Sequence, residues 1–279
     1  MTTRLGVLTP ATPTGLQTLD RMLSGGLRTG TLMTISGAPG VGKTAFALLM
    51  AYMTARARAA VVFTSVALDE TEIVARLAAR ALHREYPDVR TPYGSIWSGQ
   101  AWQDEMTRRP VAEAVETVVK KVGNHLHLHR AKPFESTSSL AKVVSHLWGR
   151  HDRVILVVDG LEAFCAGGGE RKRAAVTNGS YDARVAQVAY ELRQLADEGC
   201  AVVATVQSRS APLVSPAATL ASGVHAIEGE GSPSAMPERQ LALGARAVDL
   251  SVIKNAVGPT GIVPLRFIAG AALFEERAP

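Results

Sequence analysis

The stretch SGAPGVGKTAF at residues 36–46 decides the fold class of this chain. Residues 37–44 match the pattern GxxxxGK[ST] and lie between an apolar run, TLMTIS at 31–36, and the helix-forming run TAFALLMAYM at 44–53. A glycine-rich turn between a strand and a helix is the context in which this pattern binds phosphate groups. Its glycines let successive backbone N–H groups face the phosphates, and the start of the helix adds positive potential. The sequence therefore predicts a phosphate-binding loop.

The loop and a second motif predict the ligands. Lys43 is expected to reach the β and γ phosphate oxygens of ATP, and Thr44 is expected to coordinate Mg²⁺. The apolar run VILVVD ends in Asp159, where a carboxylate that faces the metal belongs. We therefore predict ATP and Mg²⁺ as cofactors, with Thr44 and Asp159 as metal ligands. The predicted phosphate-binding residues are Gly37, Ala38, Pro39, Gly40, Val41, Gly42, Lys43, Thr44 and Ala45.

Hydrophobic periodicity predicts an α/β fold. Runs rich in β-branched residues predict strands at 31–36, 60–66, 125–129, 154–159 and 201–206. Helical spacing of apolar residues predicts helices at 43–58, 72–85, 111–122, 139–148 and 181–198. Strands that alternate with helices imply parallel pairing, because each crossover must return along the sheet. Three further runs, at 247–255, 261–270 and 271–276, predict an antiparallel extension at the C-terminal end.

The domain organisation follows from the same patterns. We expect one domain over residues 1–279, with an N-terminal tail at 1–13 and irregular loop regions at 165–180 and 208–245, which are rich in Gly, Ser, Pro and Ala. Two cysteines are too few for a disulfide framework, and the N-terminus has no apolar signal region. We therefore expect a soluble cytoplasmic protein without a membrane partner. The net charge of +5 permits a polyanionic partner.

The motifs, taken in order, resemble a known family. The segment TPTGLQTLDRMLSGGLRTGTLMTISGAPGVGKTAFALLMA at 12–51 resembles the beginning of the RecA-like motor domain of DnaB-type replicative helicases, and KaiC and RadA ATPases look similar there. Further matches to the helicase branch are IWSGQ at 96–100, Trp102, the segment 153–164, the strand that ends in Gln207, and KNAVGPTGIVPLRF at 254–267. The resemblance implies a RecA-like P-loop NTPase fold with a mostly parallel sheet flanked by helices.

The resemblance also implies roles for individual residues. Lys43, Thr44 and Asp159 would hold Mg-ATP. Gln207 falls where the family senses the γ-phosphate, and Lys254 matches the lysine of a KxR element that reaches the nucleotide of a neighbouring subunit. Single-stranded DNA and a homo-oligomer are the implied partners. The candidate DNA-binding residues are Arg171, Lys172 and Arg173 in a glycine-rich basic stretch, and Arg209 in a second loop. The alternative for the basic stretch is a solvated surface loop.

Two positions depart from the family pattern. Where the family has a glutamate that activates the attacking water, this chain has Ala67, and the arginine finger of the KxR element is replaced by Ala256. A positioned base contributes roughly 10² to 10⁴ in rate, and an arginine finger roughly 10³ to 10⁵. We therefore expect weak hydrolysis, or hydrolysis that depends on a protein partner for catalytic groups. Residues considered as substitutes are Asp69, Glu70, Glu162, Asp152 and Arg153.

Two functions are consistent with the sequence. The first is an ATP-binding, DnaB-helicase-like protein that acts on DNA in replication or recombination. The second is a nucleotide-gated binding or regulatory module without helicase activity. His125, His127 and His129 alternate along a predicted strand and suggest a metal site, against the simpler interpretation of an ordinary strand.

Overall fold

The computed structural model of the chain describes residues 11–167, 181–207, 221–228 and 238–277. In these residues nine strands form one sheet in the order β3-β2-β4-β5-β1-β6-β7-β8-β9. The strands are β1 (Thr31–Gly37), β2 (Ala60–Ser65), β3 (Leu126–Arg130), β4 (Val154–Asp159), β5 (Ala201–Gln207), β6 (Gly223–Glu228), β7 (Ala245–Asn255), β8 (Gly261–Ile268) and β9 (Leu273–Glu276).

Helices precede, connect and flank these strands. Their bounds are α1 (Gln17–Met22), α2 (Lys43–Arg56), α3 (Glu70–Glu85), α4 (Tyr93–Trp97), α5 (Gln100–Gln103), α6 (Glu105–Val122), α7 (Thr137–Ser145), α8 (Tyr181–Gly199) and α9 (Glu238–Ala242). A short 3₁₀ turn, Leu161–Ala163, follows β4. Among the described residues, no helix combines the length and apolar character that crossing a bilayer requires.

The sheet confirms the predicted fold class. Strands β3, β2, β4, β5, β1 and β6 pair in parallel, whereas β6 to β9 pair antiparallel. Every residue of β2 and β4 is buried, as expected for central strands that are covered by helices on both faces. The carboxyl ends of β1, β4 and β5 therefore meet at one edge of the sheet, which is where ligands bind in open α/β folds.

Two hydrophobic layers cover the faces of the sheet. Along β4, Ile155 and Val157 belong to the layer formed with α2, α3 and α6, whereas Leu156 and Val158 belong to the layer formed with α7 and α8. This alternation follows from the two-residue period of a strand. The sheet is thereby fixed between helices, and α2 is held against it directly behind the predicted phosphate-binding loop.

One part of the predicted organisation is wrong. The region 208–245 contains β6, which pairs in parallel with β1 and antiparallel with β7, so it is not irregular throughout. Its sequence, GVHAIE, is short, begins with Gly and has Ser before it, so neither length nor periodicity distinguishes it from a loop. Helices α1, α4 and α5 were also missed, because four to six residues carry no helical period.

Candidate nucleotide-binding site

The predicted phosphate-binding loop lies between the end of β1 at Gly37 and the start of α2 at Lys43. Gly42, which precedes α2, has a φ of +107°, a conformation that side chains other than glycine rarely adopt. A Cβ at Gly42 would also lie 2.9 Å from ring atoms of both Phe267 and Phe274. The backbone at this position therefore requires glycine, and the aromatic rings of β8 and β9 support the loop from behind.

The Lys43 side chain lies against the loop. Its Nζ donates hydrogen bonds to the carbonyl oxygens of Gly37 at 2.8 Å and Ala38 at 2.9 Å. Partial burial lowers the pKa of Lys43, while the carboxylates of Glu162 and Asp159 oppose this change. The ammonium group is thus held between the loop carbonyls and two acidic groups, and it can move from the carbonyls to a phosphate oxygen without leaving the loop.

The structure brings the two predicted metal ligands together. Thr44 Oγ1 lies 2.9 and 3.1 Å from the two carboxylate oxygens of Asp159. Asp159 is 7% exposed, and this burial raises its pKa, while hydrogen bonds from the hydroxyl groups of Thr44, Thr205 and Ser65 act in the opposite direction. A hydroxyl oxygen beside a carboxylate is an oxygen donor set that suits Mg²⁺. The residues at this position therefore fit the predicted metal.

Gln207 and Glu162 lie beside the loop. Gln207 ends β5 directly opposite Gly37 in the sheet register. Its backbone N–H donates to Glu162 Oε1 at 3.3 Å, and burial raises the pKa of Glu162. The second oxygen of this carboxylate, Oε2, is buried and has no hydrogen-bond partner on any other residue in the described ranges. A carboxyl group from the turn that follows β4 is therefore held at the end of β5, beside the strand that leads into the loop.

Ala67 is the position at which the family resemblance implies a catalytic base. The Ala67 N–H donates to Ser65 Oγ at 3.2 Å, and this hydroxyl also lies 3.2 Å from Asp159 Oδ2. Ala67 is therefore connected to the predicted metal ligand through one side chain. Its methyl group, however, cannot accept a proton.

Lys254 lies away from the loop of its own chain. It pairs with Val224 of β6, which pairs with Thr34 of β1, three residues before the loop begins at Gly37. Three residues of strand correspond to roughly 10 Å. β7 also lies two strands away from β1, so the structure does not bring Lys254 to the site within one chain.

The cleft beside the loop contains residues that the sequence did not identify. It has a volume of about 420 Å³ and is lined by the loop together with Arg76, Tyr93 and Phe267. The guanidinium carbon of Arg76 lies 4.1 Å from the centre of the Tyr93 ring, and Glu72 holds Arg76 through an ion pair of 2.7 Å. No motif marks these side chains, because they come from distant parts of the chain.

Some predicted residues cannot be placed. Arg171, Lys172, Arg173 and Arg209 lie outside the described residues. In the part of the chain that the structure describes, no group of three or more His, Cys, Asp or Glu side chains could hold a metal ion. His129 instead lies 2.9 Å from Glu135.

A family model for the DnaB-like helicase C-terminal domain matches residues 11–276 of this chain. The chain belongs to this family. This DnaB-like domain is similar to two solved structures, each with 20% sequence identity and a TM-score of 0.75. One is a DnaB-like replicative helicase whose structure was described together with its interactions with primase, and the other is the ATPase domain of G40P.

Coverage and identity define what these relatives show about the DnaB-like domain. The match covers 95% of this chain and 62% of the replicative helicase chain, and 97% of this chain and 92% of the G40P domain. At this identity the likeness establishes the RecA-like fold. A search of curated protein sequences gave no match.

Proposed function

We propose that this DnaB-like domain binds Mg-ATP at residues 37–45 and hydrolyses it slowly while acting on single-stranded DNA. The observation that carries the proposal is the contact between Thr44 and Asp159, at the same edge of the sheet as Lys43. Thr44 and Asp159 meet although they lie more than a hundred residues apart in sequence. A contact between these two side chains is expected in a nucleotide-binding site. A glycine-rich turn with a purely structural role does not require it.

The chain's own groups account for binding. The loop amides and the N-terminus of α2 face the phosphates, and Lys43 neutralises part of their charge. Thr44 and Asp159 would hold Mg²⁺, which when bound would neutralise phosphate charge further. The Arg76 and Tyr93 pair beside the loop provides a flat, cationic surface of the kind on which a nucleobase can stack.

Coupling to DNA is supported by the position of Gln207. It pairs with Gly37 at the start of the phosphate-binding loop and lies two residues before Arg209, one of the candidate DNA-binding residues. Loss of the γ-phosphate would therefore change the contacts of Gln207 and so the position of the segment that follows β5. This arrangement agrees with the role that the family resemblance implies for Gln207, and single-stranded DNA is the proposed partner.

The second candidate function is a nucleotide-gated binding or regulatory module. It is favoured by Ala67 and Ala256, which remove the expected base and arginine finger. In that case ATP would bind, remain intact, and change the affinity for a protein partner. A protein partner or a second copy of the chain that supplies a catalytic cation would instead restore the first function.

An ATPase assay tests the proposal. Phosphate release from radiolabelled ATP is measured with and without single-stranded DNA, on the wild type, on Lys43→Ala and on the control Lys142→Ala, an exposed lysine of α7. We expect DNA-stimulated turnover that only Lys43→Ala abolishes. ATP that binds but is never hydrolysed would favour the regulatory module, and absence of any nucleotide binding would contradict both functions.

A further inference from the structure

The loss of the family glutamate at Ala67 raises the question of which carboxylate could take its place. The structure separates the alternatives by position. Asp69 accepts hydrogen bonds from the Glu72 N–H at 2.7 Å and the Thr71 hydroxyl at 2.5 Å, so it is engaged as the N-cap of α3. Glu70 begins α3 and lines a different pocket, which contains Trp97 and Trp102.

Two more of the alternatives, the carboxylate Asp152 and the cation Arg153, lie at the wrong end of a strand. Asp152 and Arg153 precede β4, whereas the phosphate-binding loop lies at the carboxyl ends of β1, β4 and β5. Arg153 also donates to the Ala57 carbonyl oxygen at 2.7 Å, beyond the C-terminal end of α2. Since α2 begins at the loop, both residues lie roughly 20 Å from it, the length of a 14-residue helix.

Glu162 is different in position and in its hydrogen bonding. It follows β4 by three residues, and its Oε1 accepts the N–H of Gln207 at the end of β5, so the carboxyl group bridges two strands that flank the site. Among the two carboxylates that attract Lys43, Glu162 has the larger effect, ahead of Asp159. The charge of Glu162 therefore acts on the ammonium group that would contact the γ-phosphate.

The second carboxylate oxygen of Glu162 indicates a role for this side chain. Oε2 is buried and has no hydrogen-bond partner on any other residue in the portion of the chain described. A buried polar atom without a partner is unfavourable and is expected to have a role. Beside a phosphate-binding loop, an unsatisfied carboxylate oxygen is suited to accept a hydrogen bond from a water molecule.

We propose that Glu162 is the general base of this domain and replaces the glutamate that the family places at Ala67. The proposal rests on the proposed ATPase function. One oxygen of the carboxylate is fixed by the Gln207 N–H, and the other binds the attacking water. The water oxygen forms a bond to the γ-phosphorus and gives one proton to Glu162. The bond between the γ-phosphorus and the bridging oxygen breaks, and its electron pair leaves with ADP. Glu162 then returns its proton to solvent.

The test is the isosteric substitution Glu162→Gln. The amide oxygen can still accept the Gln207 N–H, so thermal stability and the affinity for a fluorescent ATP analogue should stay close to those of the wild type. The rate of a single turnover, measured with protein in excess over radiolabelled ATP and with single-stranded DNA present, should fall at least ~100-fold, the lower range for a positioned base. Glu70→Gln is the matched control, because it removes the same charge at the alternative position.

Each outcome is decisive. A loss of turnover in Glu162→Gln with intact nucleotide affinity, and no loss in Glu70→Gln, supports the proposal. Turnover of Glu162→Gln within about threefold of the wild type overturns it while leaving the proposed function in place. A loss of nucleotide affinity that accounts for the lost turnover also overturns it, since Glu162 would then be a binding residue. A wild-type chain that binds ATP without hydrolysing it overturns the proposed ATPase function together with the base.

Discussion

Ala67 stands where the family resemblance implies a glutamate that activates the attacking water. Its backbone N–H donates to Ser65 Oγ, and that hydroxyl lies 3.2 Å from Asp159, so the position is adjacent to the predicted metal site. A glutamate at this position would add a carboxylate beside that site.

We therefore predict that Ala67→Glu restores turnover to the Glu162→Gln variant. The introduced carboxylate should raise the single-turnover rate at least ~10-fold above that of Glu162→Gln, which is part of what a positioned base contributes. The control is Ala67→Gln in the same background, which has the same size but cannot accept the proton. Equal rates for the two double variants would show that position 67 does not face the attacking water.

Tyr93 and Arg76 form a second contact of interest in the candidate site. Their contact beside the loop suits a nucleobase, so Tyr93→Ala should weaken ATP binding by roughly threefold to tenfold. Affinity for inorganic triphosphate, which has no base, should not change. Both affinities can be measured by calorimetry, with Tyr190→Ala as control because Tyr190 is exposed on α8. A parallel loss for both ligands would mean that the substitution disturbs the loop instead.

Residues of the site differed in how readily they could be predicted. Lys43 and Thr44 could be predicted because the phosphate-binding loop is contiguous in sequence. Asp159 could be predicted because it ends an apolar strand. Arg76 and Tyr93 could not be predicted, since only the packing of α3 against α4 brings them together. Glu162 was one of several alternatives, because sequence spacing does not show which carboxylate turns toward the loop.

At the scale of elements, β6 contains a titratable group in the core. His225 is fully buried, and burial lowers its pKa from 6.5 to about 4. Between these values the unfolded chain binds a proton at His225 and the folded chain does not. Stability contributed by the neutral form is therefore fully present above pH 6.5 and is lost as the pH falls from 6.5 toward 4.

We predict a pH-dependent stability that depends on His225. The free energy of unfolding should fall by about 1.4 kcal/mol for each pH unit below the unfolded pKa, and His225→Leu should remove this part of the slope. Urea denaturation at about pH 7.5 and about pH 5.5 measures both quantities. His146→Leu, at an exposed position after α7, is the control and should leave the slope unchanged. An unchanged slope in His225→Leu would show that other groups titrate instead.

The strands differ in how well the sequence predicts them. Strands β1, β2, β4 and β5 were predicted within one residue, because parallel central strands are continuous apolar runs. Strand β6 was not predicted, although it lies beside β1, because its pairing with β1 and β7 and not its composition makes it a strand. Long-range pairing of this kind has no local signal.

At the scale of the whole molecule, Lys254 lies roughly 10 Å below the level of the phosphate-binding loop and two strands away from β1 in the sheet. If Lys254 serves the nucleotide of a neighbour, two inactive variants should complement each other. We predict that an equimolar mixture of Lys43→Ala and Lys254→Ala recovers turnover, because some interfaces then combine an intact loop with an intact lysine. Random mixing makes roughly a quarter of the interfaces complete.

Each variant alone at the same total concentration is the control for this mixture. A mixture no faster than the mean of its two components would show that Lys254 does not act between chains. The assay uses the same DNA-stimulated phosphate release as the proposed function, so loss of the loop and loss of the lysine are compared under one condition.

The separation of Lys254 from the loop constrains how copies of this chain can associate. A two-fold symmetric pair would let each lysine reach the loop of the other chain. If each lysine instead reaches a chain other than the one that contacts its own loop, the contacts run head to tail, and they either close into a ring or leave an open stack. The last copy of an open stack has a nucleotide pocket that no neighbour completes. Activity per chain should consequently rise with concentration until closure removes that unfinished end.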